Sequence, residues 1–368
     1  VLFFVLLEAA MTLLLGGLAH YHPMQPGLEE ALFVVAQGET PIRWVLLVLP
    51  ALGGLVSGWI TFRYAPEAEG HGTDAAIEAY HYRDGFVRKR VPLIKAITSA
   101  ITIGSGGSGG REGPIAQIGA GFASMLGSWL NVSPEERRVL MAAGMAAGVG
   151  AIFHAPFAGA LFAAEVLYSG PDMEHEVFVP AFVTSIIAYS VFGAVFGFHP
   201  LFLTPEYTFT QPALLLPYAL LGLISAAGGW LFVRGFYGVR SFFFQKLKGP
   251  LFLRPALGGL VVGLIGFFLP EALATGYGAV QACFNQDAGT GSILDLPTGQ
   301  AFANLFPSSM SVLLIAALFL LMIALAKVVT TAFSIGSGGS GGVFGPAVVI
   351  GGALGGATGL VMSLAFPA

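Results

Sequence analysis

Gly104–Gly119 reads GSGGSGGREGPIAQIG, and Gly336–Gly351 reads GSGGSGGVFGPAVVIG. The likeness begins earlier: Lys95-Ala-Ile-Thr-Ser-Ala-Ile-Thr-Ile precedes the first copy and Lys327-Val-Val-Thr-Thr-Ala-Phe-Ser-Ile the second, at one offset of 232 positions (336 − 104; 327 − 95). A flexible Gly/Ser linker has no reason to recur between apolar segments at identical spacing. Gly104-x-Gly106-x-x-Gly109 also imitates a dinucleotide fingerprint, but the βαβ context and downstream acid are missing, and no Gly-Lys-Ser/Thr follows. The repeat is one backbone device built twice. Its copies differ in chemistry, Arg111-Glu112 against Val343-Phe344.

The surroundings are membrane-like. The 368 residues are 55% hydrophobic and 10% charged, with a mean hydropathy of +0.80, whereas soluble domains carry about 25% charged residues. A hydrocarbon core of ~30 Å needs ~20 apolar residues. Trp44–Thr61, Val177–Phe196, Ala213–Val233, Leu251–Leu269 and Val312–Phe333 qualify, and Val1–Leu18 is a further apolar helix. Ile115–Leu130 and Leu140–Ala151 read as shorter pieces broken by Gly and Pro. The 52 glycines and 22 prolines fit close helix packing and interrupted helices. A net charge of −4 gives no reason to expect nucleic acid, and the lone Cys283 excludes a disulfide scaffold. The sequence starts on an apolar run with no initiating Met and ends on Ala-Phe-Pro-Ala just after a helix, so both ends read as cut.

Along the chain, His20–Thr40 is a polar connection and Arg43–Tyr64 a span. A turn follows in which Thr73 or Asp74 is expected to cap a helix over Ala75–Tyr80. Tyr82–Arg90 and Arg234–Arg254 read as basic loops on the cytoplasmic side, Glu135–Arg138 as a mixed-charge loop, and Asn285–Thr298 as an exposed one. The expected organisation is one membrane domain, 1–368, with a first half over roughly 1–200 and a second over roughly 210–368. Repeats of this kind place a substrate site at their interface.

Gly113-Pro114 and Gly345-Pro346 predict new helices, with Pro in the first turn where its missing N–H costs nothing. Free N–H groups and a positive partial charge at a helix start bind anions. Two such starts converging in a membrane suit a small anion, without a full cation that holds it too tightly. Glu112 lies at one start, and an intramembrane carboxylate is a functional candidate by default. A structural pair with Arg111 is one reading, although adjacent side chains point apart. In the other, the Glu112 carboxylate occupies the site of the anion and releases it on protonation, which makes it a gate.

Gly110-Arg-Glu-Gly-Pro114, Gly342-Val-Phe-Gly-Pro346 and Phe153-His-Ala-Pro-Phe-Ala-Gly-Ala-Leu-Phe-Ala-Ala-Glu165 together resemble the CLC chloride channel and transporter family. The resemblance implies an all-α membrane protein, a bundle of tilted and broken helices with inverted internal repeats, working as a homodimer with one pore per subunit. It implies a multi-pass protein of a bacterial inner membrane, transporting chloride or another small monovalent anion as substrate and needing no cofactor. It makes Glu112 the external gate, and the main chain at Arg111, Glu112, Gly113, Val343, Phe344 and Gly345 the anion site. The family's serine-bearing anion motif falls at Gly70-His71-Gly72-Thr73-Asp74, where His71 replaces the serine. His71 and Gly72 join the candidate site, the alternative for His71 being an interfacial loop residue.

Proton-coupled members carry a second acid after the position of Glu165. Here that position is Val166, which reads as a voltage- or pH-gated channel. The alternative is an H+/Cl− antiporter, since some members exchange protons without that acid and Glu165 is adjacent. The resemblance also implies an inner tyrosine on the family's last helices, and no residue of this sequence is assigned that role. Intramembrane enzyme chemistry has no nucleophile–base pair or metal set to support it. His20, His22, His81, His154, Glu174, His175 and Glu176 lack metal-binding spacing, and His154 reads as backbone geometry. Lys95 and Lys327 read either as snorkelling anchors or as positive potential near the pore.

Overall fold

The computed structural model describes residues 1–24, 26, 32–33, 40–168, 175–206, 212, 215–285 and 291–365. Its helices are α1 (Leu2–Ala19), α2 (Arg43–Tyr64), α3 (Thr73–Tyr82), α4 (Val91–Gly104), α5 (Glu112–Trp129), α6 (Pro134–Ile152), α7 (Pro156–Glu165), α8 (His175–Phe196), α9 (Leu215–Ser241), α10 (Arg254–Phe268) and α11 (Tyr277–Phe284). Two short helices, α12 (Gly291–Leu294) and α13 (Gly299–Ala303), precede the long α14 (Val312–Gly336) and α15 (Phe344–Ala365). Seven helices among the described residues have the length and hydropathy to cross a membrane. The four tryptophans, Trp44, Trp59, Trp129 and Trp230, all stay exposed. Lys89 lies over the Trp129 ring and Arg234 over Trp230, the amphipathic pairing favoured at a bilayer interface.

Several expectations are corrected. The glycines of Ile115–Leu130 and Leu140–Ala151 do not break helices: α5 and α6 run through them. Gly119 and Gly144 instead set each helix against the other's carbonyl, where a Cβ has no room. Glu135–Arg138 is the first turn of α6, not a loop. Ser133 caps it, accepting from Glu136 N at 3.2 Å while Glu136 accepts from Ser133 N at 2.9 Å. Neither Thr73 nor Asp74 caps α3; both lie in its first turn behind Gly72, which takes the N-cap in the left-handed region. Arg234 and Arg240 are helical residues of α9, because an apolar helix carries long basic side chains to its polar end. In Asn285–Thr298, residues 286–290 and likewise Glu174 lie outside the described residues. Ile293, Leu294, Leu296 and Thr298 are buried rather than exposed, because this segment packs on α14 through Ile315 and Phe319.

The repeat reaches further than the glycine loops. Pro50-Ala-Leu-Gly-Gly-Leu-Val-Ser-Gly58 in α2 returns as Pro255-Ala-Leu-Gly-Gly-Leu-Val-Val-Gly263 in α10, and Pro66-Glu-Ala returns as Pro270-Glu-Ala. Contacts across the molecule are reciprocal. Gly54 lies against the Pro255 carbonyl and Gly259 against the Pro50 carbonyl. Ser99 bonds Ser340 at 2.9 Å, and Ser108 bonds Thr331 at 2.8 Å. Gly110 and Gly342 exchange both backbone hydrogen bonds, each 2.7 Å, in an antiparallel bridge. Equivalent residues therefore meet about a local two-fold axis that runs between the glycine loops. Gly106 and Gly338, at φ 99° and 107°, make the same left-handed turn in each loop, which only glycine adopts freely.

Candidate functional site

Glu112 is the first residue of α5, and its side chain is 4% exposed. A carboxylate in that position must be hydrogen-bonded or it costs several kcal/mol. Its partners come from the other repeat. The Tyr277 hydroxyl donates to Oε1, and the Gly345 N–H donates to Oε2 at 3.2 Å. Gly345 is the second residue of α15 and Tyr277 the first of α11, so the carboxylate sits among the N-terminal ends of three helices. A helix start carries a positive partial charge, and at α15 the Gly345 N–H is turned directly to the carboxylate. The Gly110–Gly342 bridge brings two of these ends together.

Arg111, Gly113, Val343 and Phe344 adjoin this contact along the chain. Arg111 is the N-cap of α5, is buried, and places its guanidinium 5.0 Å from the Phe4 ring centre and 5.9 Å from that of Tyr277. Gly113 lies against the His71 carbonyl and Gly342, closer than a side chain permits. Phe344 opens α15 and stacks edge-on with Phe153 at 5.2 Å. Val343, immediately before it, is half-buried.

The His71 main chain thus touches the site while its ring turns elsewhere. Nδ1 bonds Thr73 Oγ1 at 2.6 Å, and Nε2 lies 3.1 Å from Asp74 Oδ2. The His71 ring beside Asp74 holds that carboxyl below the usual carboxylate range. Next to this pair, Arg240 donates to Glu69 at 2.6 Å. Gly72 adopts φ 90° and leads into α3, as Gly276 at φ 80° leads into α11.

Lys95 and Lys327 are 0% exposed, so snorkelling to an interface is not their role. Lys95 donates to the carbonyls of Ala68 and Gly70 at 3.1 and 2.7 Å. Lys327 donates to those of Ala272, Leu273 and Ala274 at 3.3, 3.2 and 2.7 Å. Each lysine clamps the turn that precedes α3 or α11, and so fixes where those helix starts point.

Glu165 ends α7 with its side chain exposed, and Val166 is half-buried beside the alanine- and methionine-rich core of α6 and α7. His154 adopts φ 55° and bonds the His199 carbonyl at 2.5 Å through Nδ1; His81 bonds the Leu167 carbonyl at 2.7 Å. Among the described residues no three His, Cys, Asp or Glu side chains form a metal-sized cluster.

Tyr277 was missed from sequence. Its signal was the recurrence of Pro66-Glu-Ala at Pro270-Glu-Ala followed, in both copies, by a glycine and a hydroxyl residue, Gly72-Thr73 and Gly276-Tyr277.

A polytopic helical membrane protein whose two related halves aim helix starts at one buried carboxylate is built for anions. Residues 53–368 match the family model "Voltage gated chloride channel", and the chain belongs to that family, the CLC proteins. The voltage-gated ClC-type chloride channel ClcB of Shigella flexneri is 31% identical over 88% of this chain and 71% of its own length. The H(+)/Cl(-) exchange transporter ClcA of Cronobacter sakazakii is also 31% identical, over 88% of this chain and 65% of its own. In fold, the chain matches a slow cyanobacterial Cl-/H+ antiporter with a TM-score of 0.72 at 21% identity, covering 99% of this chain and 76% of the other. The chain spans 67%, 44% and 37% of the length of other curated relatives it matches.

Proposed function

We propose that the chain forms a membrane pathway for small monovalent anions, chloride foremost, gated by the Glu112 carboxylate. The observation that carries this reading is that carboxylate's position. It takes the N–H of Gly345 at the start of α15 while belonging to the start of α5, which is where an anion gains most from both helix ends. In the closed state the carboxylate stands in for the anion. Protonation or withdrawal leaves those donors to a permeating ion. The peptide groups at Arg111, Glu112, Gly113, Val343, Phe344 and Gly345 supply the surrounding partial charge. His71 and Gly72 contribute main chain at the far side of Gly113.

Within this reading the protein is a passive channel, supported by Val166, which binds no proton at the position where coupled relatives place an acid. A second reading, H+/Cl− exchange, is favoured by the exposed Glu165 one residue away. The chain works as one membrane domain of two inverted halves, assembled as a homodimer with one pathway per subunit. Reconstitution decides between channel and exchanger. An outward chloride gradient imposed on liposomes at equal pH drives anion flux and no uphill proton movement if the protein is a channel. Proton movement in fixed ratio to chloride would refute the channel reading.

A further inference from the structure

Tyr277 is 2% exposed and held from every side. Gly276 sets the turn that precedes it, and the Lys327 ammonium clamps the carbonyls of Ala272, Leu273 and Ala274 just before that turn. Phe202 stands edge-on to its ring at 5.5 Å. Phe202 is tied down in turn by its neighbour Leu203, whose N–H and carbonyl bond Gln281 of α11 at 3.0 and 2.9 Å. The hydroxyl therefore has a fixed position, beside Gly345 and bonded to Glu112. It meets the carboxylate together with the Gly345 N–H, one donor on each carboxylate oxygen.

Buried donors need acceptors. When the Glu112 carboxylate leaves, the O–H of Tyr277 and the N–H of Gly345 lose the same acceptor together. A monovalent anion arriving there satisfies both. We propose that the Tyr277 hydroxyl is a shared donor, bound to Glu112 while the pathway is closed and to the permeating anion while it is open, and thereby a determinant of which anions pass. This rests on the gate reading of Glu112. The first repeat carries Thr73 at the equivalent place, where the hydroxyl is engaged by His71, so the two copies contribute unequally. An O–H donor favours compact, strongly accepting anions such as chloride over diffuse ones such as thiocyanate.

The test removes one oxygen. In the full chain in detergent, chloride and thiocyanate binding are measured by calorimetry for Glu112→Ala and for Glu112→Ala with Tyr277→Phe. Loss of a hydrogen bond to a charged ligand predicts about tenfold or more weaker chloride binding in the double variant. Thiocyanate affinity is expected to change much less, which also reports that the site has kept its shape. In liposomes the same substitution moves selectivity from chloride toward thiocyanate. Equal chloride affinity in the two variants overturns the proposal, and so does parallel loss of both anions. The gate reading is scored separately, because it fails if Glu112→Ala leaves flux at the wild-type level, whatever Tyr277 does to affinity.

Discussion

Glu112→Gln keeps the shape of the side chain and removes its charge. In the structure the carboxylate accepts hydrogen bonds from Tyr277 and from Gly345. A hydrogen bond to a charged group is worth about 1.5–3 kcal/mol and a neutral one about 0.5–1.5. With the amide oxygen accepting from Gly345 and the amide NH2 donating to the Tyr277 oxygen, each contact becomes a neutral one, weaker by roughly 1–1.5 kcal/mol, and the closed position weakens by about 2–3 kcal/mol in all. At tenfold per 1.4 kcal/mol, the pathway opens ~30- to 150-fold more often at neutral pH. Chloride efflux from proteoliposomes, followed with a chloride electrode between pH 4.5 and 8, measures this directly. Wild-type flux rises as pH falls, because protonation does what the substitution does, and Glu112→Gln flux is high and flat across the range. A Glu112→Gln protein that keeps wild-type flux and the wild-type pH profile would show that the carboxylate occupies this position without gating anything.

The other expectations are smaller in scale. Because both His71 ring nitrogens are engaged by Thr73 and Asp74, His71→Ser changes the chloride-to-nitrate permeability ratio by no more than about twofold, equivalent to a few tenths of a kcal/mol; a larger shift places the imidazole in the pathway. Gly54→Ala and Gly259→Ala each push a methyl into the facing carbonyl at the α2–α10 crossing and cost about 1–3 kcal/mol of stability. Thermal melts in detergent should fall by similar amounts for the pair, and a melt that falls in only one contradicts the reciprocity of the crossing. If Val166 is what keeps the protein passive, proton coupling stays undetectable in Glu165→Gln as in wild type. Coupling that exists and vanishes in Glu165→Gln assigns Glu165 the proton-binding role instead.

Much of this protein was legible in its residues. Runs of ~20 apolar residues announce helices in lipid because backbone groups there must bond internally, and α2, α8, α10 and α14 begin and end close to where composition puts them. The duplicated Gly-rich loop and its Gly-Pro helix starts also followed from sequence, since glycine turns and first-turn prolines are local chemistry. Helix continuity through Gly-rich segments was not legible. Gly119 and Gly144 look like breakers until a second backbone arrives to fill the space that their missing side chains leave. Nor did sequence separate the two accounts of Lys95 and Lys327, because a lysine next to an apolar run looks the same whether it reaches water or three carbonyls.

The sequence alone determined that two Gly-Pro helix starts exist and that only the first copy carries an acid. Tertiary structure decided what that acid touches. Tyr277 lies 165 positions from Glu112 and reaches it only because the halves meet about a two-fold axis, Gly110 against Gly342. Hydrogen bonds between distant segments depend on where whole helices are set by packing, and no local pattern of residues encodes that distance.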